Sequence, residues 1–230
     1  MELSDRKLAI SVPQGWENGS QAIRARYSSI ALDHFHSSLL NSNQDNDILH
    51  GLVSVVFWGN ASGTDGRINA PFALERAHCL LRGKRGRAPT NSGETISILR
   101  EARNLAQTGK IAEGLRIAMN IKFLGMAFAS KVLMFTNPSN AAVYDKVISI
   151  RLKEYKDPQL QELAVNTLGA WAAKKAEQAN KYERWCAWCT AKANVLNRAE
   201  LKWLDWDGSE TPWRAVDVER AFYALGRAKR

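Results

Sequence analysis

Apolar residues recur at helical spacing over most of this chain. In "SQAIRARYSSIALDHFHSSLLNS" (20–42), Ile23, Tyr27, Ile30, Ala31, Phe35 and Leu39 form the stripe of an amphipathic helix. "DILHGLVSVVFWGN" (47–60) is apolar enough to be buried, as a helix end or a short strand. "GNASGTDGRINAP" (59–71) reads as a loop from its Gly, Asn and Pro. "FALERAHCLLRG" (72–83) is a short helix closed by Gly83. After a basic, glycine-rich loop, "GKRGRAPTNSG" (83–93), the pattern predicts helices over roughly 94–108, 110–122, 126–136, 145–156, 158–180, 181–197 and 213–226. Alternation of period two is scarce and no repeat of fixed period occurs. The expected class is mostly α, a single domain of short helices. Its N-terminal helical part (1–93) carries the basic loop, and a second helical part covers 94–230.

One stretch breaks the amphipathic rule. In "FLGMAFASKVLMF" (123–135) almost every residue is apolar or small except Ser130 and Lys131. On a helix the neighbours of Lys131 at three and four residues are Ala127, Phe128, Met134 and Phe135. A lysine so placed is expected to be partly buried. Burial disfavours the ammonium relative to the amine, and a neutral amine is a nucleophile suited to Schiff-base chemistry. The alternative is a snorkelling lysine whose stem packs while its head reaches water. Fourteen residues on, Asp145 precedes "KVISIRL", where aspartate is a favoured N-cap. The cap and a functional role are compatible, because a helix N-terminus favours the ionised carboxylate.

Composition narrows the partners. The 230 residues are 45% hydrophobic with eight tryptophans, enough for a substantial core. The formal charge of +9 suits a polyanion, of which nucleic acid is the commonest. No apolar run is long enough for a membrane span. The opening "MELSDRKLAISVPQGW" lacks the apolar core and cleavage site of a signal peptide, so a cytoplasmic protein is expected. Three cysteines make no disulfide framework and fall short of the four that an iron–sulfur cluster requires. The lone CxxC in "WCAWC" (185–189), even with Cys79, lacks the second ligand pair of a zinc site; Cys186 and Cys189 read as packing residues. His34 and His36 face different sides of their helix and make no ligand pair. No metal or other cofactor is expected.

With these residues in view, "LGMAFASKVLMF…AAVYDKVI" resembles the helix-hairpin-helix DNA glycosylases, in particular their divergent 8-oxoguanine-glycosylase-like branches. "YERWCAWCTAKANVL" and "PWRAVDVERAFYAL" are similar to the closing helices of that group, and the likeness covers most of 94–225. The resemblance implies a catalytic lysine at Lys131, opening the second helix of the hairpin, and a catalytic aspartate at Asp145, at the start of the next helix. It implies double-stranded DNA as partner and base flipping as the means of access. Relatives include repair enzymes for oxidised guanine and others that act in phage defence by removing bulky modified bases. One departure is visible. The two hairpin glycines are replaced by Ala127-Phe128-Ala129, which leaves Gly125 for a left-handed turn. Alanine permits close approach of a phosphate less readily than glycine, so a distorted hairpin is expected.

Further DNA contacts are expected from Arg82, Lys84, Arg85 and Arg87 in the basic loop, and from the hairpin backbone at Gly125, Ala127 and Ala129. Phe57, Trp58 and Phe128 are candidates to hold a flipped base; aromatic pairs are also common core residues. Two classes of function follow. One is a monomeric glycosylase, with or without lyase activity. The other is a non-catalytic helical DNA-binding protein that uses Lys131 as a phosphate contact. The burial of Lys131 discriminates between them, because a phosphate contact needs polar surroundings.

Overall fold

A computed structural model describes residues 30–61, 69–169, 171–205 and 208–225. The first part of the expected helix 20–42 and most of the loop 59–71 lie outside the described residues. Ten helices and one two-residue hairpin are described: α1 (Ile30–Leu40), α2 (Asp45–Ala61), α3 (Ala70–Arg82), α4 (Ser92–Gln107), α5 (Ile111–Ala118), α6 (Met126–Thr136), α7 (Lys146–Glu154), α8 (Pro158–Gln161), α9 (Ala172–Arg198), β1 (Trp203–Leu204), β2 (Glu210–Thr211) and α10 (Ala215–Leu225). The class is mostly α, as the periodicity predicts.

Helix α6 is the axis of the bundle. It packs on α1, α2, α4 and α5. Met126 and every residue from Ala129 to Thr136 are buried. An all-round apolar sequence can only be satisfied by an all-round apolar setting, which is why this stretch lies inside rather than on a face. One hydrophobic cluster extends from Leu40 to Phe222 and includes Leu133, Phe135, Tyr144, Tyr182 and Trp185. Helix α9 lies along α5 and α10, and α10 also reaches α7.

Capping residues fix several boundaries. Asn69 accepts from the Phe72 N–H, with Pro71 in the first turn of α3. Asn91 accepts from Glu94 N–H at 2.8 Å and starts α4. Asp145 accepts from Val147 and Ile148 N–H at 2.9 and 3.1 Å and starts α7. Each satisfies orphan donors that a helix start exposes.

The structure corrects three expectations. Residues 45–61 form one continuous helix with no strand. The segment expected as helices 158–180 and 181–197 is instead a single turn, α8, then an irregular stretch, then the long α9. That stretch is held open by partners more specific than a helix would offer. The Tyr144 hydroxyl donates to Leu163 O at 2.7 Å and accepts from Val165 N–H at 2.9 Å, and Gln178 donates to Asn166 O. Third, the left-handed residue of the hairpin is Phe123 (φ 68°), whereas Gly125 is extended (φ −78°, ψ 173°) and serves as the N-cap of α6.

Candidate active site and nucleic-acid face

Lys131 and Asp145 come together. The Lys131 ammonium nitrogen lies 3.6 Å from Asp145 Oδ2, and Lys131 is only 8% exposed. The two oxygens of Asp145 have different tasks: Oδ1 takes both N–H bonds of the cap, and Oδ2 faces the amine. Ser130 fixes the crossing of the two segments. Its hydroxyl donates to Tyr144 O at 3.2 Å and accepts from Tyr144 N–H at 3.0 Å. Trp185 Nε1 donates to Val143 O and the Tyr182 hydroxyl reaches Ser130 O, so α9 clamps the same crossing from below. The chain around Asp145 is therefore held to α6 one residue away from each reacting side chain.

Lys131 is walled by aromatic and glycine surface. The Phe128 ring lies one turn earlier on α6, with its centroid 5.4 Å from the ammonium nitrogen, a cation–π distance. Gly59 of α2 faces both. A Cβ there would come within 2.7 Å of Phe128 Cε1 and 3.2 Å of Lys131 Cδ. The absent side chain is what lets α2 approach.

Of the three aromatic candidates, Phe128 is the one beside Lys131. Trp58 packs inward, edge-on to Phe135 with centroids 5.3 Å apart. Phe57 turns to a separate apolar hollow between α1, α2 and α3 that it shares with Phe35, Leu39, His50 and Leu74. Two aromatic neighbours in sequence are about 100° apart on a helix, so the pair is divided between two surfaces.

The basic loop is a built element. Lys84 and Arg87 exchange two backbone hydrogen bonds at 3.1 Å, with Arg85 (φ 51°) and Gly86 (φ 75°) at the corners of a tight hairpin turn. Gly83 (φ 79°) is required, because a Cβ there would collide with Arg87 O. Arg82, Arg85 and Arg87 are exposed, whereas Lys84 is engaged by Glu75 at 2.7 Å. The turn is tied to the α5–α6 hairpin: Thr90 Oγ1 accepts from Lys122 N–H at 2.9 Å. On the other flank, Lys175 of α9 donates to Met119 O and Asn120 Oδ1, both at 3.0 Å. In the hairpin, Gly125 is exposed while Ala129 is buried inside α6. The N–H groups of Phe128 and Ala129 are already bonded to Gly125 O.

Several residues of this region escape sequence reasoning. Phe123 is 41% exposed at the hairpin tip and Trp171 is 63% exposed beside Lys174, whose nitrogen is 4.7 Å from its ring. Glu219 of α10 is 6% exposed. Burial first, then the charge of Asp145, pushes its carboxyl up to about 8. Its place in "VDVERAF" looks like an exposed charge pattern; only the packing of α10 against α9 and α7 turns it inward. The three cysteines are buried and free, and burial raises the Cys186 thiol to about 12, which suits packing rather than reactivity. Among the described residues no helix is long and apolar enough to cross a membrane, and no group of three or more His, Cys, Asp and Glu is arranged to hold a metal.

The helical bundle thus buries a lysine against the aspartate that caps the following helix, close to a hairpin tied to the basic turn. The profile of the family described as "Putative 8-oxoguanine DNA glycosylase OGG-like protein" matches residues 31–223, and the chain belongs to that family. Searches of curated proteins and of solved structures gave no match.

Proposed function

We propose that this protein is a DNA N-glycosylase that flips a modified or damaged base out of the duplex and cuts its bond to the sugar. Asp145 and Lys131 carry the chemistry. The observation behind this reading is the pair itself: a buried amine with a carboxylate oxygen 3.6 Å away, and that carboxylate held from its other oxygen. As the base departs, positive charge develops on the sugar, and a preorganised carboxylate stabilises it. Lys131, freed of its proton, attacks C1′ and forms an imine, which leads on to strand cleavage. At 8% exposure Lys131 is poorly suited to a phosphate contact, which favours catalysis over binding alone.

DNA would lie across the hairpin α5–α6, with Arg82, Arg85 and Arg87 on one flank and Lys174 and Lys175 on the other. The backbone ties through Lys122 and Lys175 support a single face. Gly125 and Ala127 are the hairpin positions suited to a phosphate; Ala129 contributes through the fold of α6. Phe128 would pack against the extruded nucleotide. The target class is either oxidised guanine or a bulky modified cytosine of phage DNA, the latter giving a role in antiviral defence. The test is an abasic-site assay on duplexes containing oxidised guanine, uracil, alkylated bases or glucosylated hydroxymethylcytosine. Excision of one class supports the reading; DNA binding without excision of any of them supports the non-catalytic alternative.

A further inference from the structure

Helix α10 carries two buried carboxyls, Asp217 and Glu219, and the half-buried Arg220, all of very different status. Asp217 accepts hydrogen bonds from both Arg214 and Arg220. Arg220 is itself paired with Asp33 at 2.6 Å. Glu219 lies between them in sequence, yet among the described residues no hydrogen bond or ion pair engages its carboxyl. Buried carboxyls in folded proteins are normally satisfied by donors. One that is not is shifted toward the neutral acid. The charges acting on Glu219 are Asp145 at the start of α7, Lys131 on α6, and Asp217 and Arg220 on its own helix. Tyr182, Cys186 and Cys189 face it from α9, all three driven toward their neutral forms by burial. Both members of the candidate pair are thus within electrostatic reach of an acid that nothing else in the fold uses.

We propose that Glu219 is the proton-carrying residue of this site, serving the amine chemistry of Lys131. The proposal rests on Lys131 being the imine-forming amine. On an abasic sugar the neutral Lys131 nitrogen adds to the C1′ aldehyde carbon. The C=O π pair moves to oxygen, the amine proton follows it, and a carbinolamine forms. Glu219 then gives its proton to the hydroxyl oxygen. The C1′–O bond breaks and its electron pair leaves with water, while the nitrogen lone pair closes the C=N bond. The products are a protonated imine, water and the Glu219 carboxylate. Asp145, at the amine, is left to balance the positive charge.

An oligonucleotide duplex with one abasic site tests this without knowledge of the target base. Borohydride-trapping rates are measured for the wild type, Glu219→Gln and Lys131→Gln from about pH 6 to about pH 9.5, a range that lies on both sides of the raised carboxyl value of about 8. The readout is the ratio of wild-type to Glu219→Gln rates. It is expected to be about 10² below the Glu219 value of about 8 and to fall roughly tenfold per pH unit above it. A ratio of one, or one that does not change with pH, overturns the role of Glu219 alone. A wild type that traps no complex, or a Lys131→Gln variant that still traps, overturns the amine reading and this proposal with it. The wild type also allows a test that needs no variant to fold: the infrared band of a neutral carboxylic acid, present at neutral pH and lost near the same pH. Its absence at neutral pH overturns the proposal.

Discussion

Asp145 divides its two oxygens between the fold and the site: Oδ1 holds the first turn of α7 through Val147 and Ile148, and Oδ2 meets the Lys131 amine at 3.6 Å. The two tasks can be separated by substitution. Asparagine keeps an oxygen for the cap and loses the negative charge, and the two residues cap about equally well. Asp145→Asn is therefore expected to melt within a few degrees of the wild type while base excision falls about 10²–10⁴-fold. Asp145→Ala also loses the cap and about 0.5–2 kcal/mol of stability. Thermal melts and single-turnover excision, measured together, check both statements. A folded Asp145→Asn with full activity would remove Asp145 from the chemistry.

Lys131 differs from Lys122 and Lys146, its nearest rivals as nucleophile, in being buried; both of the others are exposed. Lys131→Gln is expected to abolish the borohydride-trapped complex, with excision lost or reduced according to how well water replaces the amine. Trapping that survives in Lys131→Gln and disappears in Lys122→Gln or Lys146→Gln would move the nucleophile.

Each member of the pair was legible in the sequence because its signal is local, whereas their pairing was implied by the family resemblance. A lysine among apolar neighbours at three and four residues, and an aspartate directly before an amphipathic turn, each declare themselves within one helix. The boundaries of α6 follow for the same reason. What was not legible depends on distant contacts. Nothing near residue 163 announces that the Tyr144 hydroxyl will hold the chain out of a helix. The left-handed position passed to Phe123, a residue with no propensity for it, in a hairpin that other elements hold at Lys122 and at Met119. Glu219 is hidden for a further reason: an acidic residue between apolar ones on a helix is ordinarily solvated, and only the approach of α7 and α9 encloses this one.

The basic turn presents three exposed cations, Arg82, Arg85 and Arg87, whereas Lys84 is engaged by Glu75. Reversal of Arg82, Arg85 and Arg87 to glutamate is expected to weaken DNA binding. Each lost phosphate contact should reduce the slope of log affinity against log salt by about 0.9. Lys84→Gln should have a smaller effect than any of the three. Binding isotherms at several salt concentrations decide this; an unchanged slope in the triple variant would make the turn a bystander.

Asp33 is the buried counter-charge that joins α1 to α10. It accepts from Arg214 at 2.7 Å and from Arg220 at 2.6 Å, and is 1% exposed. Removal of one partner from a buried charge cluster leaves the others uncompensated, at a cost of about 3–5 kcal/mol. Asp33→Ala is expected to lose stability on that scale in denaturant titrations, whereas Asp45→Ala, which breaks an exposed pair with Arg100, should lose less than about 1 kcal/mol.

Gly59 tests the site from a helix that carries none of its ionisable groups. A Cβ added there would lie 2.7 Å from Phe128 Cε1 and 3.2–3.3 Å from Lys131 Cδ and Cε. Real Cβ contacts are not that short, so something must move. The backbone of α6 is fixed on four sides by α1, α2, α4 and α5, so the displacement falls on the Phe128 ring and the Lys131 stem. A shift of a few tenths of an ångström in the stem changes the angle at which the amine meets both Asp145 and a sugar carbon, and reaction rates are sensitive to misplacement of that order. Helix propensity works the other way, since alanine gains up to about 1 kcal/mol over glycine in a helix interior. Gly59→Ala is thus expected to stay folded and to bind DNA as before, while its trapping rate on abasic DNA drops about tenfold or more. Gly93→Ala, where the nearest atom to an added Cβ is 3.6 Å away, is the matched control and should trap at the wild-type rate. Equal trapping by both variants would mean that α2 does not help to position Lys131.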